Sequence, residues 1–383
     1  MEWIDRALDD AEARFQLRRP TTLAFQSASR ATIDGRSVEV FCSNDYLGLR
    51  FDSRLVAALR SAAEDCGAGS GASRLVSGNA PAHDAAESVL SGWLGTQAAL
   101  LFSSGYAANV GTIAALAGPD DVVFSDERNH ASIIDGCRLA RSRTLVFPHR
   151  DGDALAGSIA RARPFRRGWI VTESVFSMDG DRADVRALRE LCDQEGLGLY
   201  VDEAHALGVL GPAGAGVLAE AGVRADVVVG TLGKALGLAG AFVAGSSSLR
   251  AYLWNHARSL VYSTGLPPMI AAAVIAAVRL AAEPALRSKL TANVQRFRQA
   301  LAARGIAVGG DPDVPIVPLL LGGAERANAT TARLLELGFF VQAIRPPTVP
   351  RETARLRITL GAAHEPPSID ALAAALAEVT ATS

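Results

Sequence analysis

The stretch Gly198-Leu199-Tyr200-Val201-Asp202-Glu203-Ala204-His205 is a short apolar run that ends on a carboxylate, with an imidazole three residues on. An apolar run of this length, bounded by glycine and polar residues, reads as a buried strand. Downstream, Asp226-Val227-Val228-Val229-Gly230-Thr231-Leu232-Gly233-Lys234 repeats the plan and finishes on a lysine. Upstream, the run 98–102 meets Ser103-Ser104-Gly105-Tyr106, which opens a helical pattern. Further apolar runs at 121–125, 144–147, 169–172 and 241–244 alternate with helical patterns at 106–117, 131–141, 155–162 and 185–194. Strands alternating with helices predict an α/β fold, with a mostly parallel central sheet and helices on both faces. In such a sheet ligands lie beyond the carboxyl ends of the strands, where Asp202, His205 and Lys234 fall.

The 383 residues allow two or three domains of roughly 100–200 residues each. Residues 1–40 are expected to hold an N-terminal helix over 1–17, stopped by Pro20, and the start of a short strand over 37–42. Residues 41–268 are expected to form the large domain. Residues 269–383 read as a smaller C-terminal α+β domain, with helices at 269–283, 288–303 and 368–379 and apolar runs at 314–320, 339–344 and 355–360. Apolar residues at 49% and charged residues at 20% are those of a soluble globular chain. Lys plus Arg (38) nearly balances Asp plus Glu (40), so no net field draws a polyanion and no nucleic acid partner is expected. The cluster Arg161, Arg163, Arg166 and Arg167 reads as one solvated face. Cys42, Cys66, Cys137 and Cys192 are widely spaced, and H-E-x-x-H is absent. Neither a disulfide framework nor a metal site is expected. Residues 1–20 are charged throughout and no apolar run reaches about 18 residues. A cytoplasmic protein without membrane contact is the expectation.

The strand-end residues acquire a meaning when taken together. A phosphate needs free N–H groups at a helix start, and Gly105 and Tyr106 supply them. A pyridine nitrogen kept protonated needs a carboxylate, and Asp202 is one; an aldehyde needs an amine, and Lys234 is one. Gly230, Gly233 and Gly237 would let the backbone of the lysine loop come close to a ligand. The set suits pyridoxal 5′-phosphate (PLP). Singly, an Asp after a strand is most often a helix cap, and a Lys between glycines a surface residue. Their joint placement at successive strand ends outweighs those readings. Asp202-Glu203-Ala204-His205 also resembles the second nucleotide motif of helicase-type ATPases, which requires an upstream G-x-x-x-x-G-K-[ST] loop. Gly233-Lys234 lies downstream, has Val228 in place of the first glycine, and is followed by Ala235. Gly67-Ala68-Gly69-Ser70-Gly71 follows a helical pattern at 55–64 instead of a strand, and reads as a turn.

Thr172-Glu173-Ser174-Val175-Phe176-Ser177-Met178-Asp179-Gly180, Val201-Asp202-Glu203-Ala204-His205 and Thr231-Leu232-Gly233-Lys234 resemble the α-oxoamine synthases. These are fold type I PLP-dependent transferases that condense an amino acid with an acyl thioester and release CO2. The resemblance extends from Ser43-Asn44-Asp45-Tyr46-Leu47-Gly48 to Ala362-Ala363-His364-Glu365. Ala343-Ile344-Arg345-Pro346-Pro347-Thr348-Val349-Pro350, with Thr353 to Leu360, looks most like the member that joins L-alanine to a pimeloyl thioester in biotin synthesis. Its acyl donor is pimeloyl-CoA or pimeloyl-acyl carrier protein. The alternative is a glycine-using member of the glycine C-acetyltransferase type.

The resemblance implies a role for each matching residue. Lys234 holds PLP as a Schiff base and later removes the α-proton of alanine. Asp202 pairs with the pyridine nitrogen, His205 with the phenolic oxygen, and His130 stacks on the ring. Ser177 and Thr231 contact the cofactor, and Thr264 reaches the phosphate of the neighbouring subunit in a homodimer with shared sites. Arg357, helped by Asn44, clamps the alanine carboxylate. Arg18 or its neighbour Arg19, with Arg18 preferred, meets the far carboxylate of the pimeloyl chain, and Thr348 lines the acyl pocket. Glu203 is expected to point away from the ring.

Overall fold

The Val-, Ile- and Leu-rich runs assemble into one seven-stranded sheet. Its order is Ala98–Phe102, Ala241–Gly245, Val227–Thr231, Gly198–Asp202, Gly168–Glu173, Val122–Asp126, Arg143–Phe147. Only Ala241–Gly245 runs antiparallel to its neighbours. Val122–Asp126 and Ala241–Gly245 are buried at every position, because helices cover both faces of a parallel sheet. That double burial is why these segments read as continuous apolar runs without alternation. On one face Leu100, Val123, Val171, Tyr200 and Val229 pack with Ile113, Ile133 and Cys137 of the helices Gly105–Leu116 and Ala131–Ala140. All seven expected strands are present, with no end moved by more than one residue.

This computed structural model describes residues 1–381. They form two units: Leu49–Phe176 with Arg182–Pro284, and Met1–Gly48 with Ser177–Asp181 and residues 285 onward. The observed division therefore falls at 48 and 284, against the expected 40 and 268. The helix Pro268–Ala282 packs on the helices Ser53–Cys66 and Pro81–Leu94, which groups it with the larger unit. The excursion Ser177–Asp181 is fixed inside the smaller unit by two arginines. Arg357 Nε donates to the Ser177 carbonyl at 2.5 Å, and Arg355 Nη1 donates to Asp179 Oδ1 at 2.6 Å. Gly180 has φ +65°, and a Cβ there would lie 2.4 Å from the Ile316 carbonyl oxygen, so only glycine fits.

The smaller unit holds an antiparallel sheet in the order Ile316–Gly322, Ala354–Thr359, Gln342–Ile344. A second sheet runs Ala24–Phe25, Arg30–Ile33, Arg36–Val40, Phe339–Phe340. The expected run 339–344 is thus two strands in two sheets, broken at Val341. The strand expected over 37–42 begins at Arg36 and ends at Val40, paired with Arg30–Ile33 across a turn in which Asp34 and Gly35 both have positive φ. The N-terminal helix is Glu2–Ala13, not 1–17. Phe15 adopts φ +55° and the N–H groups of Gln16 and Leu17 return to the Ala11 carbonyl, ending the helix well before Pro20. The basic cluster is not simply a solvated face either: Arg166 and Arg167 both close on the buried Asp121. Among the described residues no cysteine is paired, no cluster suits a metal ion, and no single helix is long and apolar enough to cross a membrane.

Candidate active site

In the larger unit the strand ends bring a carboxylate, an imidazole and an amine to one edge of the sheet. Asp202 is buried at the end of Gly198–Asp202. Its Oδ2 accepts from Asn109 Nδ2 at 2.7 Å and its Oδ1 from the Ala204 N–H at 2.9 Å. The Asn109 amide also donates to Ser132 Oγ at 2.9 Å and accepts from the Tyr200 hydroxyl at 2.7 Å. Ser132 Oγ lies 2.7 Å from His130 Nδ1, and the Ser132 N–H, at 3.2 Å, makes His130 the N-cap of Ala131–Ala140. With Asn109 donating to Ser132, the serine hydroxyl is free to donate to Nδ1, which leaves the His130 proton on Nε2. A hydrogen-bonded path therefore runs from Asp202 through Asn109 and Ser132 to His130. His130 is exposed. Its pKa lies below the ordinary histidine value because partial desolvation lowers it; the Asp202 charge opposes this and Lys234 adds to it.

Lys234 is half-buried and its Nζ stands 2.8 Å from Nε2 of the buried His205. An amine donates here, so His205 Nε2 acts as the acceptor. Thr231 shapes the lysine loop: its Oγ1 accepts from the Gly233 N–H and donates to the Gly240 carbonyl, both at 3.2 Å. Two of the three loop glycines answer to the protein itself. A Cβ at Gly237 would lie 2.6 Å from the Arg50 nitrogen, and one at Gly230 would lie 2.4 Å from the Phe242 ring. At Gly233 the nearest atom would be 3.6 Å away, so only this glycine leaves room for the expected approach to a ligand. Glu203 turns its carboxylate to the start of the helix Gly216–Ala221, accepting from the N–H groups of Val217 and Leu218 at 3.0 and 2.8 Å. Burial pushes its pKa up to about 7.

At the start of Gly105–Leu116, Ser104 Oγ caps the Ala107 N–H at 3.1 Å. The N–H groups of Gly105 and Tyr106 have no acceptor inside the helix. Tyr106 is exposed, with its hydroxyl on Asp135. Thr264 is exposed and bridged to Ser73.

The smaller unit carries two further groups. Arg357 is buried; besides the Ser177 carbonyl it reaches Asn44 Oδ1 at 3.1 Å and the Tyr46 hydroxyl at 3.4 Å. Arg18 Nη2 donates to Thr348 Oγ1 at 3.0 Å, whereas Arg19 is paired with Glu12 at 2.5 Å. Arg18, Arg19, Gln342, Arg345 and Thr348 line a polar cavity of about 350 Å³. Arg345 donates to the Phe15 carbonyl at 2.5 Å, and burial, then the charge of Arg18, lower its pKa. Asn109, Ser132, Tyr200 and Arg345 are site residues that the sequence did not single out. Asn109 offered one signal, a polar side chain on the buried face of an apolar helix.

The donor set fits PLP. A primary amine, a buried carboxylate with both oxygens supported, an imidazole beside the amine and an open helix start all lie at the sheet's carboxyl edge or just beyond it. A profile of the family described as Aminotransferase class I and II matches residues 36–376. An 8-amino-7-oxononanoate synthase of Anaeromyxobacter dehalogenans is 50% identical over 382 residues, covering 99% of this chain and 96% of the relative. Among solved structures, a serine palmitoyltransferase from S. paucimobilis with bound PLP–myriocin aldimine superposes with TM-score 0.94 at 29% identity, covering 99% of this chain and 97% of that one. An 8-amino-7-oxononanoate synthase from Francisella tularensis superposes with TM-score 0.78 at 28% identity, covering 90% and 98%. The chain belongs to the aminotransferase class I and II family, within the group of relatives that carry the name 8-amino-7-oxononanoate synthase.

Proposed function

We propose that this chain condenses L-alanine with a pimeloyl thioester, of CoA or of an acyl carrier protein, to give 8-amino-7-oxononanoate, CO2 and the free thiol. The observation that carries the reading is the Lys234–His205 contact beside Asp202, in a chain half identical over nearly its whole length to a named synthase of this kind. Bound PLP supplies an electron sink for the carbanion formed at the alanine α-carbon. Lys234 holds it covalently through Nζ, and Asp202 keeps its ring nitrogen protonated. His205 would hold its phenolic oxygen, His130 would face the ring, and Ser177 and Thr231 would complete its contacts. Gly105 and Tyr106 offer N–H groups to the phosphate, with Thr264 of a second subunit in a homodimer.

Lys234 Nζ would also act as the acid–base group, taking a proton from the alanine α-carbon and giving one back to it. Arg357 grips the alanine carboxylate in two-pronged fashion with Asn44 at its side. Arg18 takes the distal pimeloyl carboxylate, and Thr348 lines the acyl path. On this reading the protein would work in the cytoplasm.

Lys234→Ala is expected to remove both turnover and the visible absorbance of the purified protein. Thiol release would be followed with alanine, glycine and serine against pimeloyl, acetyl and succinyl thioesters. Preference for alanine with the pimeloyl donor supports the proposal; preference for glycine with an acetyl donor would replace it with the glycine C-acetyltransferase reading.

A further inference from the structure

Glu173 has no part in the reading above. It ends the strand Gly168–Glu173 and stands in register with Asp202 on the neighbouring parallel strand. Paired residues of adjacent strands project from the same face of a sheet. Glu173 is 3% exposed, and its Oε1 has no hydrogen-bond partner. Both oxygens of Asp202, by contrast, receive N–H donors. Two adjacent carboxyls out of water do not both ionise readily, and the one with fewer donors retains the proton.

We propose that Glu173 is a positioning residue that works as a neutral carboxylic acid, adding no charge of its own beside Asp202 and bracing the main chain of His130. The groups that face it agree. Asp202 lies on one neighbouring strand and Asp126 on the other; Lys234 comes from the loop after Val227–Thr231, and the His130 N–H from the start of Ala131–Ala140. Asp126 has partners of its own, His149 Nδ1 at 2.9 Å and the N–H groups of Arg128 and Arg150. Burial first, and then the charge of Asp202, push the Glu173 carboxyl up to about 8, against the opposing pull of Lys234 and the His130 N–H. The positioning role rests on the reading that Asp202 serves the cofactor; the protonation state of Glu173 stands without it.

The sign of the stability effect is fixed by a folded pKa raised above the unfolded one. The folded chain binds the extra proton, so Glu173 lowers stability as pH rises from about 4.5 to about 8. Glu173→Gln keeps a neutral group of the same shape. Its holoenzyme is expected to gain thermal midpoint relative to the unsubstituted protein as pH rises from about 5 to about 8. A difference that stays flat across that range overturns the neutral-acid assignment.

Cofactor affinity, read by absorbance titration near neutral pH, tests the positioning role. Glu173→Ala is expected to bind about tenfold more weakly and Glu173→Gln within about twofold of the unsubstituted protein, a range spanning one strong hydrogen bond. A Gln variant as weak as the Ala variant overturns it. Should both variants fail to fold, infrared difference spectra of the unsubstituted holoenzyme decide. A protonated-carboxyl band that disappears between about pH 7 and pH 9 supports the proposal, and its absence overturns it. Failure of the cofactor reading looks different: no chromophore in any of these proteins, with the pH-dependent stability intact.

Discussion

Asn109 serves three buried partners with one amide, donating to Asp202 and Ser132 and accepting from Tyr200. Removing it strands a carboxylate oxygen and a phenolic hydroxyl in a place water reaches poorly, at about 1–3 kcal/mol for each unsatisfied group. Asn109→Ala is therefore expected to lower unfolding stability by about 3 kcal/mol, visible as a shift of the urea midpoint. Cofactor affinity should fall with it, because Asp202 loses the donor that orients it. A variant of unchanged stability and affinity would mean that the Asp202–Asn109 contact carries no weight. Asp202, His205 and Lys234 were legible because each is a polar residue placed directly after an apolar run. Asn109 and Ser132 were not, since a lone polar residue in an apolar helix has no periodic signature that separates a ligand-orienting amide from an ordinary buried one. The roles of Gly230 and Gly237 were misread for a related reason. A glycine reports a close approach but not what approaches.

Between strands and helices, ties of the same kind are made by charges. Asp121 opens the strand segment at Val122–Asp126; its side chain is fully buried, yet it receives Arg166 at 3.0 Å, Arg167 at 2.8 Å and the Gly118 N–H at 2.9 Å. Burial raises its pKa, but the two guanidinium groups and the N–H outweigh it and bring it down to about 2. With the folded pKa depressed, the stabilisation is fully present above the ordinary value of 3.8 and is lost as pH falls through about 2. Asp121→Asn is expected to cost about 2 kcal/mol near neutral pH, a charged hydrogen-bond set replaced by a neutral one. The deficit should shrink as pH is lowered from about 4 towards 2, measured by urea unfolding at each pH; a deficit independent of pH would assign it to shape alone. At this scale the central sheet was readable because burial on both faces leaves unbroken apolar runs. The Asp34-Gly35 hairpin went unread, although Asp-Gly is a two-residue turn that favours positive φ, so only the second of its two strands was expected. The division of 339–344 between two sheets was not readable, since an apolar run carries no mark of which edge it will join.

For the molecule as a whole, the fold does not choose the substrate. A serine palmitoyltransferase superposes on this chain with TM-score 0.94 and an 8-amino-7-oxononanoate synthase with TM-score 0.78. An enzyme named for palmitoyl transfer handles an acyl chain with an apolar end, whereas a pimeloyl chain ends in a carboxylate. On the function proposed above, discrimination would rest on cationic side chains, and Arg18, Arg19 and Arg345 line one cavity with Thr348. Arg18 is about 330 residues from Thr348 in sequence and bonded to it in space, which is why pattern reading alone left the choice between Arg18 and Arg19 loose. Arg18→Ala removes a charge-assisted contact of about 1.5–3 kcal/mol and should raise the KM for a pimeloyl thioester by about 10- to 100-fold. The KM for alanine should stay within about twofold, and a thioester of equal length ending in a methyl group should lose nothing, since its end makes no ionic contact. Equal losses on both thioesters would instead assign Arg18 to holding the Thr348 loop in shape.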